Sequence, residues 1–480
     1  MINLSHLHGK TVAVLGLGKS GLASVKALIQ SGAVVWAWDD NENSRHQLDA
    51  LGLTPVNLVE CDWNQPEMLV ISPGIPATFP TPHPAAEKAR RAGKPIICDV
   101  ELLCTTATNV PMLAITGTNG KSTTTALTAH IIDQAGIKTQ VGGNLGYPVL
   151  GFDALGANDC YVLELSSYQL DLIDKAAFDA SAMLNITPDH LDRHGGMTGY
   201  IGAKRNIFAR QKGPKWAIIS IDDTHCAQMA TELAREGGHR MVEISVNGPT
   251  RHGVYVDDHW LVDDLDGHKN PVLDLRTVSH MPGRHNWQNI AFAYALCRAR
   301  GIGTNDILSG VMSFPGLAHR QEQIGTIDGV VFVNDSKATN AEATAKALSA
   351  YDNIYWILGG KPKEGGIDGL DPWYGRIKKA FLIGSAADEF AATLNGQLPY
   401  EQCGTLDVAT RRALDCARAD AKADKAGRPA GNDNSAPAPV ILLSPACASF
   451  DQFTSFEARG DAFRALFDVL SSQSTDPEAL

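Results

Sequence analysis

The densest chemistry in the chain stands at Ile115-Thr116-Gly117-Thr118-Asn119-Gly120-Lys121-Ser122-Thr123. A run of phosphates carries several negative charges and needs backbone N–H donors at close range. Glycine lets the backbone approach, a following helix adds the positive end of its dipole, and a lysine reaches the terminal phosphates. The Ser122 hydroxyl is of the type that holds Mg²⁺. The common pattern has a glycine five positions before the second one, and here Ile115 occupies that place. The motif therefore reads as a shortened phosphate loop, against the alternative of a chance glycine turn beside a surface lysine.

A second glycine cluster, Gly16-Leu17-Gly18-Lys19-Ser20-Gly21, is followed by Asp39 and Asp40. A GxGxxG loop with an acid about twenty residues on is the dinucleotide fingerprint. Its physics specifies only a diphosphate or nucleotide at strand ends, so NAD, another nucleotide diphosphate and tight helix packing without ligand all stay open. Glu164 closes an apolar run and is placed as an acid that orients Mg²⁺, a cation that wants oxygen ligands; an incidental acid beside a serine helix cap is the alternative. The polar run Asn185 to His194 contains His190, a metal ligand or a structural histidine. Lys204 follows in a helix-like stretch, where the bland alternative is a solvated helix face. Asn286 and Asn289 stand three apart and share one helix face, where paired amides can read a purine edge or merely cap the helix. Further on, His319-Arg320 precedes a strand, and Asn334 to Asn340, Leu358 to Lys363 and Ser444 to Asp451 put polar residues at strand ends, a constellation for a small charged ligand in a crevice.

The elements that must position these groups follow from the apolar pattern. Strands are expected at Thr11–Leu15, Val34–Trp38, Met68–Ile71 and Ile96–Cys98, then at Pro111–Ile115, Cys160–Leu165, Ala182–Ile186 and Trp216–Ile221, with helices over Gly21–Ser31, Lys121–Ala135 and Asn289–Arg300. Hairpins are expected between Gly248 and His280. A third set comprises Val330–Asn334, Ile354–Leu358, Ala380–Ile383 and Val440–Leu443. Strands alternating with helices mean parallel sheets. The expectation is an α/β protein of three domains in series, at residues 1–105, 106–315 and 316–480, with a Rossmann-like first domain, a central phosphate-loop domain and a Rossmann-like third. Residues 421–439, rich in Ala, Lys, Asp, Pro, Gly and Asn, read as a solvated insert.

The chain has 480 residues, about three domains' worth. Its 41 basic and 53 acidic residues leave a net charge of −12, a sign that repels nucleic acid and anionic membranes unless a local basic patch intervenes, and none is visible. Nine scattered cysteines without a CxxC pair read as reduced, buried thiols. No apolar run approaches the ~18 residues of a membrane helix, and the polar start is no signal peptide. A cytoplasmic monomer acting on small molecules is expected.

Taken together, these residues resemble the Mur ligases, ATP-dependent amide-forming enzymes of peptidoglycan precursor synthesis, over nearly the whole chain. Within the family the match is to the member that adds D-glutamate to UDP-N-acetylmuramoyl-L-alanine, and no Asp-Asn-Pro-Arg motif of the diaminopimelate-adding member is present. The resemblance implies that Leu17, Gly18, Ser72, Pro73 and Gly74 surround the UDP moiety, with Asp39 and Asp40 near the uracil. Asn144, Ser166 and Gln169 would line the sugar-peptide cleft. Gly117, Thr118, Asn119, Gly120, Lys121, Ser122 and Thr123 would cradle ATP, with Asn286, Asn289, Arg320 and Asp335 contacting the nucleotide. Lys121, Glu164, His190 and Lys204 would be catalytic. Two Mg²⁺ ions would be held by Ser122, Glu164, His190 and Lys204, the last once carbamylated into an oxygen ligand. Lys337, Thr339, Lys363, Ser449 and Phe456 would hold D-glutamate.

Two places depart from the family pattern: Asp40-Asn41 replaces a frequent Thr-Arg pair, and Gly360-Lys361-Pro362-Lys363 replaces Gly-Asp-Gly-Lys, leaving Lys361 to compete with Lys363. The implied reaction passes the γ-phosphoryl group to the substrate carboxylate, and the D-glutamate amine then attacks the acyl phosphate. Closure of the third domain over the second would exclude water. Rival readings are a sister ligase taking another amino acid, an NAD-dependent dehydrogenase using Gly16–Gly21, and a regulator that hydrolyses ATP without ligation.

Overall fold

The computed structural model describes residues 1–210, 215–363, 365–426 and 437–474, the side chains of 423–426 and 474 excepted. Three sheets are arranged in two compact units, one of Met1–Val278 with Asn286–Phe314 and one of Ser279–His285 with Pro315–Leu480.

The first unit holds two sheets. The N-terminal sheet comprises β1 (Thr11–Leu15), β2 (Val34–Trp38), β3 (Leu69–Ile71) and β4 (Ile96–Ile97) in the order β2-β1-β3-β4, all parallel. The next consists of β5 (Met112–Thr116), β6 (Thr139–Gly143), β7 (Cys160–Glu164), β8 (Ala180–Met183), β9 (Lys215–Ser220), β10 (His239–Ser245), β11 (Gly253–Asp257), β12 (Trp260–Asp263) and β13 (Asn270–Asp274). Its order is β13-β12-β11-β10-β9-β8-β5-β7-β6, parallel except for the antiparallel pairings of β12 with its neighbours at the edge. β5 and β7 are buried along their whole length, as strands covered on both faces must be. The expected hairpins are the β11–β12–β13 edge. One buried cluster runs from Leu4 and Leu28 through Leu103 and Phe152 to Ile219, so the two sheets share a core.

The second unit holds β14 (Glu322–Ile327), β15 (Val330–Asn334), β16 (Ile354–Gly359), β17 (Ile377–Ile383), β18 (Tyr400–Gly404) and β19 (Val440–Leu443), ordered β14-β15-β19-β16-β17-β18 with only β14 antiparallel. Successive residues of a strand point to opposite faces, and β16 divides accordingly. Ile354, Trp356 and Leu358 join one core with Phe390 and Leu394, whereas Tyr355 and Ile357 join another with Leu414 and Phe463. A strand apolar at every position is thus a strand with helices on both sides.

Several expected boundaries shift. β8 ends at Met183, which leaves Asn185 and Ile186 in the loop that follows, and the helix expected from Asn289 begins at Arg284. β6, β10, β14 and β18 are additions, short or polar strands whose partners supply what their own pattern lacks. Residues 421–426, expected in a solvated insert, continue the helix Leu406–Ala426; residues 427–436 of that insert lie outside the described residues. All nine cysteines are free, six of them buried and Cys61, Cys403 and Cys416 half-buried.

Candidate functional site

In an open parallel sheet, ligands gather beyond the carboxyl ends of strands where the chain reverses its direction of travel across the sheet. In the N-terminal sheet that place lies between β1 and β3. The Ser72 hydroxyl donates to the Gly16 carbonyl at 3.2 Å. A methyl group on Gly21 would stand 1.8 Å from the Gly16 carbonyl oxygen, so the third glycine is required by close packing of helix Lys19–Gln30 on the loop. Asp39 is committed to backbone: its carboxylate accepts from the Leu17 N–H at 2.7 Å and the Asn41 N–H at 2.9 Å. Asp40 accepts from the Trp38 indole and pairs with His83 at 3.0 Å. Arg45 lies over the Trp38 ring and donates to the Asp39 and Asp40 carbonyls.

The next sheet places its phosphate loop between β5 and helix Lys121–Gln134. Gly120 takes a left-handed conformation (φ 84°), and a methyl there would meet the Asn289 side-chain oxygen at 2.5 Å. Asn185, just past β8, holds the loop with a reciprocal pair: the Asn119 N–H donates to its Oδ1 at 2.8 Å and its Nδ2 donates to the Asn119 carbonyl at 3.1 Å. The Thr118 hydroxyl meets the Tyr200 hydroxyl at 3.0 Å. Lys121 Nζ donates to the Gly117 and Thr118 carbonyls, both at 2.8 Å. Ser122 is buried in the first helical turn.

Lys204, whose bland reading is a solvated helix face and whose reading by resemblance is a catalytic group, is 2% exposed. Its Nζ donates to the Gly117 carbonyl at 2.8 Å and lies over the Tyr200 ring. Burial, helped by the charge of Lys121, pushes its pKa down to about 7. Glu164, at the end of β7, is equally buried. Its Oε1 accepts from Asn144 Nδ2 at 2.7 Å, while Oε2 has no hydrogen-bond partner among the described residues. A buried carboxylate oxygen without a donor suits a hard cation such as Mg²⁺. No three His, Cys, Asp or Glu side chains among the described residues converge as a metal cage. An ion held through few protein oxygens plus phosphate and water fits that donor set. His190 adopts φ 51°, stays half-exposed and lies 3.4 Å from Asp189.

Other expected residues have structural partners. Ser166 and Gln169 form a reciprocal capping box at helix Ser167–Leu170. Asn289 accepts from the Thr124 hydroxyl and donates to Asn286, tying helix Arg284–Ala299 to the phosphate loop. Tyr200 escaped sequence reasoning, since an aromatic one helical turn before Lys204 reads as core.

The second unit gathers its residues at the ends of β15, β16 and β19. Asp335, 6% exposed, accepts from the Ser444 hydroxyl at 2.7 Å and the Gln321 N–H at 3.1 Å. Burial outweighs those donors and the nearby Arg320 charge, raising its pKa to about 7. Lys337 Nζ stands 3.7 Å over the Phe456 ring. Lys363 Nζ reaches the Thr339 hydroxyl at 3.4 Å, whereas the Lys361 backbone is bridged to Ala448. Ser449 is buried in the following turn. The unforeseen residue is Arg459, 1% exposed, which donates to the Ser336 carbonyl and hydroxyl, each at 2.9 Å, and to the Cys447 carbonyl at 3.1 Å. Its signal was available: a basic residue in the opening turn of a helix works against the dipole.

Residues 115–297 match the Mur ligase middle domain, and residues 10–98 match the Mur ligase MurD-like N-terminal domain. A UDP-N-acetylmuramoylalanine--D-glutamate ligase of Paramagnetospirillum magneticum is 48% identical over 466 residues, 97% of this chain and 98% of that protein. The chain is a Mur ligase. The same-named ligase of Rhodospirillum rubrum is also 48% identical, over 97% of this chain and 96% of its own length. Among solved structures, the UDP-N-acetylmuramate-alanine ligase of Thermotoga maritima shares the fold at a TM-score of 0.53 and 16% identity, covering 96% of this Mur ligase and 100% of that chain. No helix among the described residues of this Mur ligase is long and apolar enough to cross a membrane.

Proposed function

We propose that this Mur ligase joins D-glutamate to UDP-N-acetylmuramoyl-L-alanine at the expense of ATP. The substrates follow the names of relatives 48% identical over nearly the full length. Phosphoryl transfer rests on one observation: the phosphate loop and Glu164, whose Oε2 has no partner among the described residues, follow or end the adjoining strands β5 and β7, and buried Lys204 reaches the same loop at the Gly117 carbonyl.

Lys121 and the loop N–H groups hold the phosphates of ATP, and the γ-phosphoryl group passes to the alanyl carboxylate to give acyl phosphate and ADP. Mg²⁺, when bound through Glu164, Ser122 and His190, supplies positive charge against the phosphates. Near neutral pH a large share of Lys204 is an uncharged amine, which adds to CO₂, loses a proton and becomes a carbamate, an oxygen donor beside Gly117. The D-glutamate amine then attacks the acyl carbon, and the tetrahedral intermediate collapses to amide and phosphate. Lys337, Thr339, Lys363, Ser449 and Phe456 hold the amino acid's two carboxylates and chain, while Asp335, Arg320, Asn286 and Asn289 serve the nucleotide. We assign residues 1–105 to the UDP-substrate, 106–315 to ATP and 316–480 to D-glutamate. A reducing compartment, the cytoplasm, fits nine free cysteines.

A dehydrogenase reading loses support because relatives 48% identical over nearly the full length are named as ligases. The test is phosphate release with UDP-N-acetylmuramoyl-L-alanine, Mg-ATP and one amino acid at a time. Release that requires D-glutamate is expected. Release driven by another amino acid would make this a sister ligase, and hydrolysis indifferent to every amino acid would end the ligase reading.

A further inference from the structure

The loop Ser72-Pro73-Gly74 follows β3, whereas the phosphate loop follows β5 in a different sheet. Chemistry between molecules held at the two loops demands that their separation be reproducible to a fraction of an ångström. Pro73 has no N–H and Gly74 has no side chain, so carbonyl oxygens are the handles by which another element can hold this loop. Arg193 takes both. Its Nη1 donates to the Gly74 carbonyl at 2.9 Å and its Nη2 to the Pro73 carbonyl at 3.3 Å.

Arg193 is itself held from the other side. Its guanidinium stacks over the Tyr168 ring, 4.6 Å from the centroid, and Tyr168 belongs to the short helix that begins three residues after Glu164. The next residue, His194, bonds the Ser167 hydroxyl at 2.9 Å, and its ring lies against Tyr168 and Tyr200. Tyr200 in turn meets Thr118 of the phosphate loop. Gly195 completes the clasp: a methyl there would come within 3.0 Å of the Phe79 ring, seven residues beyond Ser72. A planar, permanently charged fork that stacks on one face and donates from its edge is something lysine cannot reproduce.

We propose that Arg193 is the positioning residue that sets the UDP-substrate loop Ser72–Gly74 in register with the phosphate loop. This rests on the reading that the loop carries the UDP-substrate. The experiment measures binding of UDP-N-acetylmuramoyl-L-alanine and of Mg-ATP by calorimetry, and KM for each, in the full-length protein and in R193A, R193Q and R193K. R193A and R193Q should weaken UDP-substrate binding about 10- to 100-fold, the range of losing hydrogen bonds from a charged donor, with Mg-ATP affinity within about twofold. R193K should recover only part. Millimolar guanidinium should restore UDP-substrate affinity to R193A and leave R193K unmoved, an effect that loss of folding would not produce. UDP-substrate affinity unchanged in R193A and R193Q, or both ligands weakened alike without guanidinium rescue, would overturn the proposal. Should the parent protein fail to bind the UDP-substrate, the functional reading fails instead.

Discussion

Among the titratable side chains buried near the central sheet and near the C-terminal sheet, Lys204 and Asp335 are opposite in sign. Lys204 meets a carbonyl of the phosphate loop and is driven down to about 7; Asp335 meets Ser444 and a backbone N–H and is driven up to about 7. In both cases loss of water outweighs the neighbours, so both groups lose charge as they are buried. The consequences for stability run in opposite windows. Between about pH 7 and 10.5 the unfolded chain holds the extra proton on Lys204, and stability rises with pH there. Between pH 3.8 and about 7 the folded chain holds the extra proton on Asp335, and stability falls as pH rises. A stretch of sheet can therefore bring a lysine and an aspartate to the same neutral-pH poise, and chemistry then separates them: the amine becomes a nucleophile, the acid a hydrogen-bonding group.

The sharpest way to break this comparison is at Lys204. Replacement by alanine should lower kcat by about 10²- to 10³-fold, as expected for removing a group that stabilises developing charge. Added acetate should restore part of the rate by returning a carboxylate to the vacated space. Steady-state phosphate release checks both, and a normal rate in the variant would remove Lys204 from the site.

A smaller effect distinguishes the two lysines of the C-terminal unit. Lys363→Ala should raise KM for D-glutamate about 10- to 100-fold, the loss of a hydrogen bond to a charged group. Lys361→Ala, at an exposed position whose backbone is bridged to Ala448, should change KM by about twofold or less. Equal effects would show that the Thr339 contact of Lys363 does not select it.

The smallest effect tests the sign at Asp335. Asn cannot exchange a proton, so the parent's melting temperature should decline between pH 4 and 7 and Asp335→Asn should flatten that decline. Thermal unfolding followed by circular dichroism over that range is the measurement. An unchanged slope would mean that the aspartate ionises without penalty in the folded protein.

Much of this was legible along the chain. Gly117 to Ser122 and Gly16 to Gly21 announce glycine loops between a strand and a helix because their spacing acts through neighbouring atoms. The parallel strands β1, β7, β15, β16 and β19 announce themselves because burial on both faces leaves an unbroken apolar run. β6, β10, β14 and β18 did not, since polar residues interrupt their own pattern and the strands they pair with supply what it lacks. Lys204 looked like a solvated helix face, because nothing within its own helix says that the phosphate loop covers it. Tyr200 was silent for the same reason, its partner Thr118 lying 82 residues away, and Arg459 showed only its place against the helix dipole, not its partner Ser336, 123 residues away.

By itself, then, the sequence determined the family, the α/β class and the phosphate loop, all of which depend on local spacing or on likeness spread over the whole length. Only the tertiary structure decided which charges are buried, which carboxylate oxygen has no donor among the described residues, and which carbonyls Arg193 and Arg459 hold. Desolvation and hydrogen-bond geometry depend on atoms brought together from strands far apart in the chain, and no spacing along one segment contains that information.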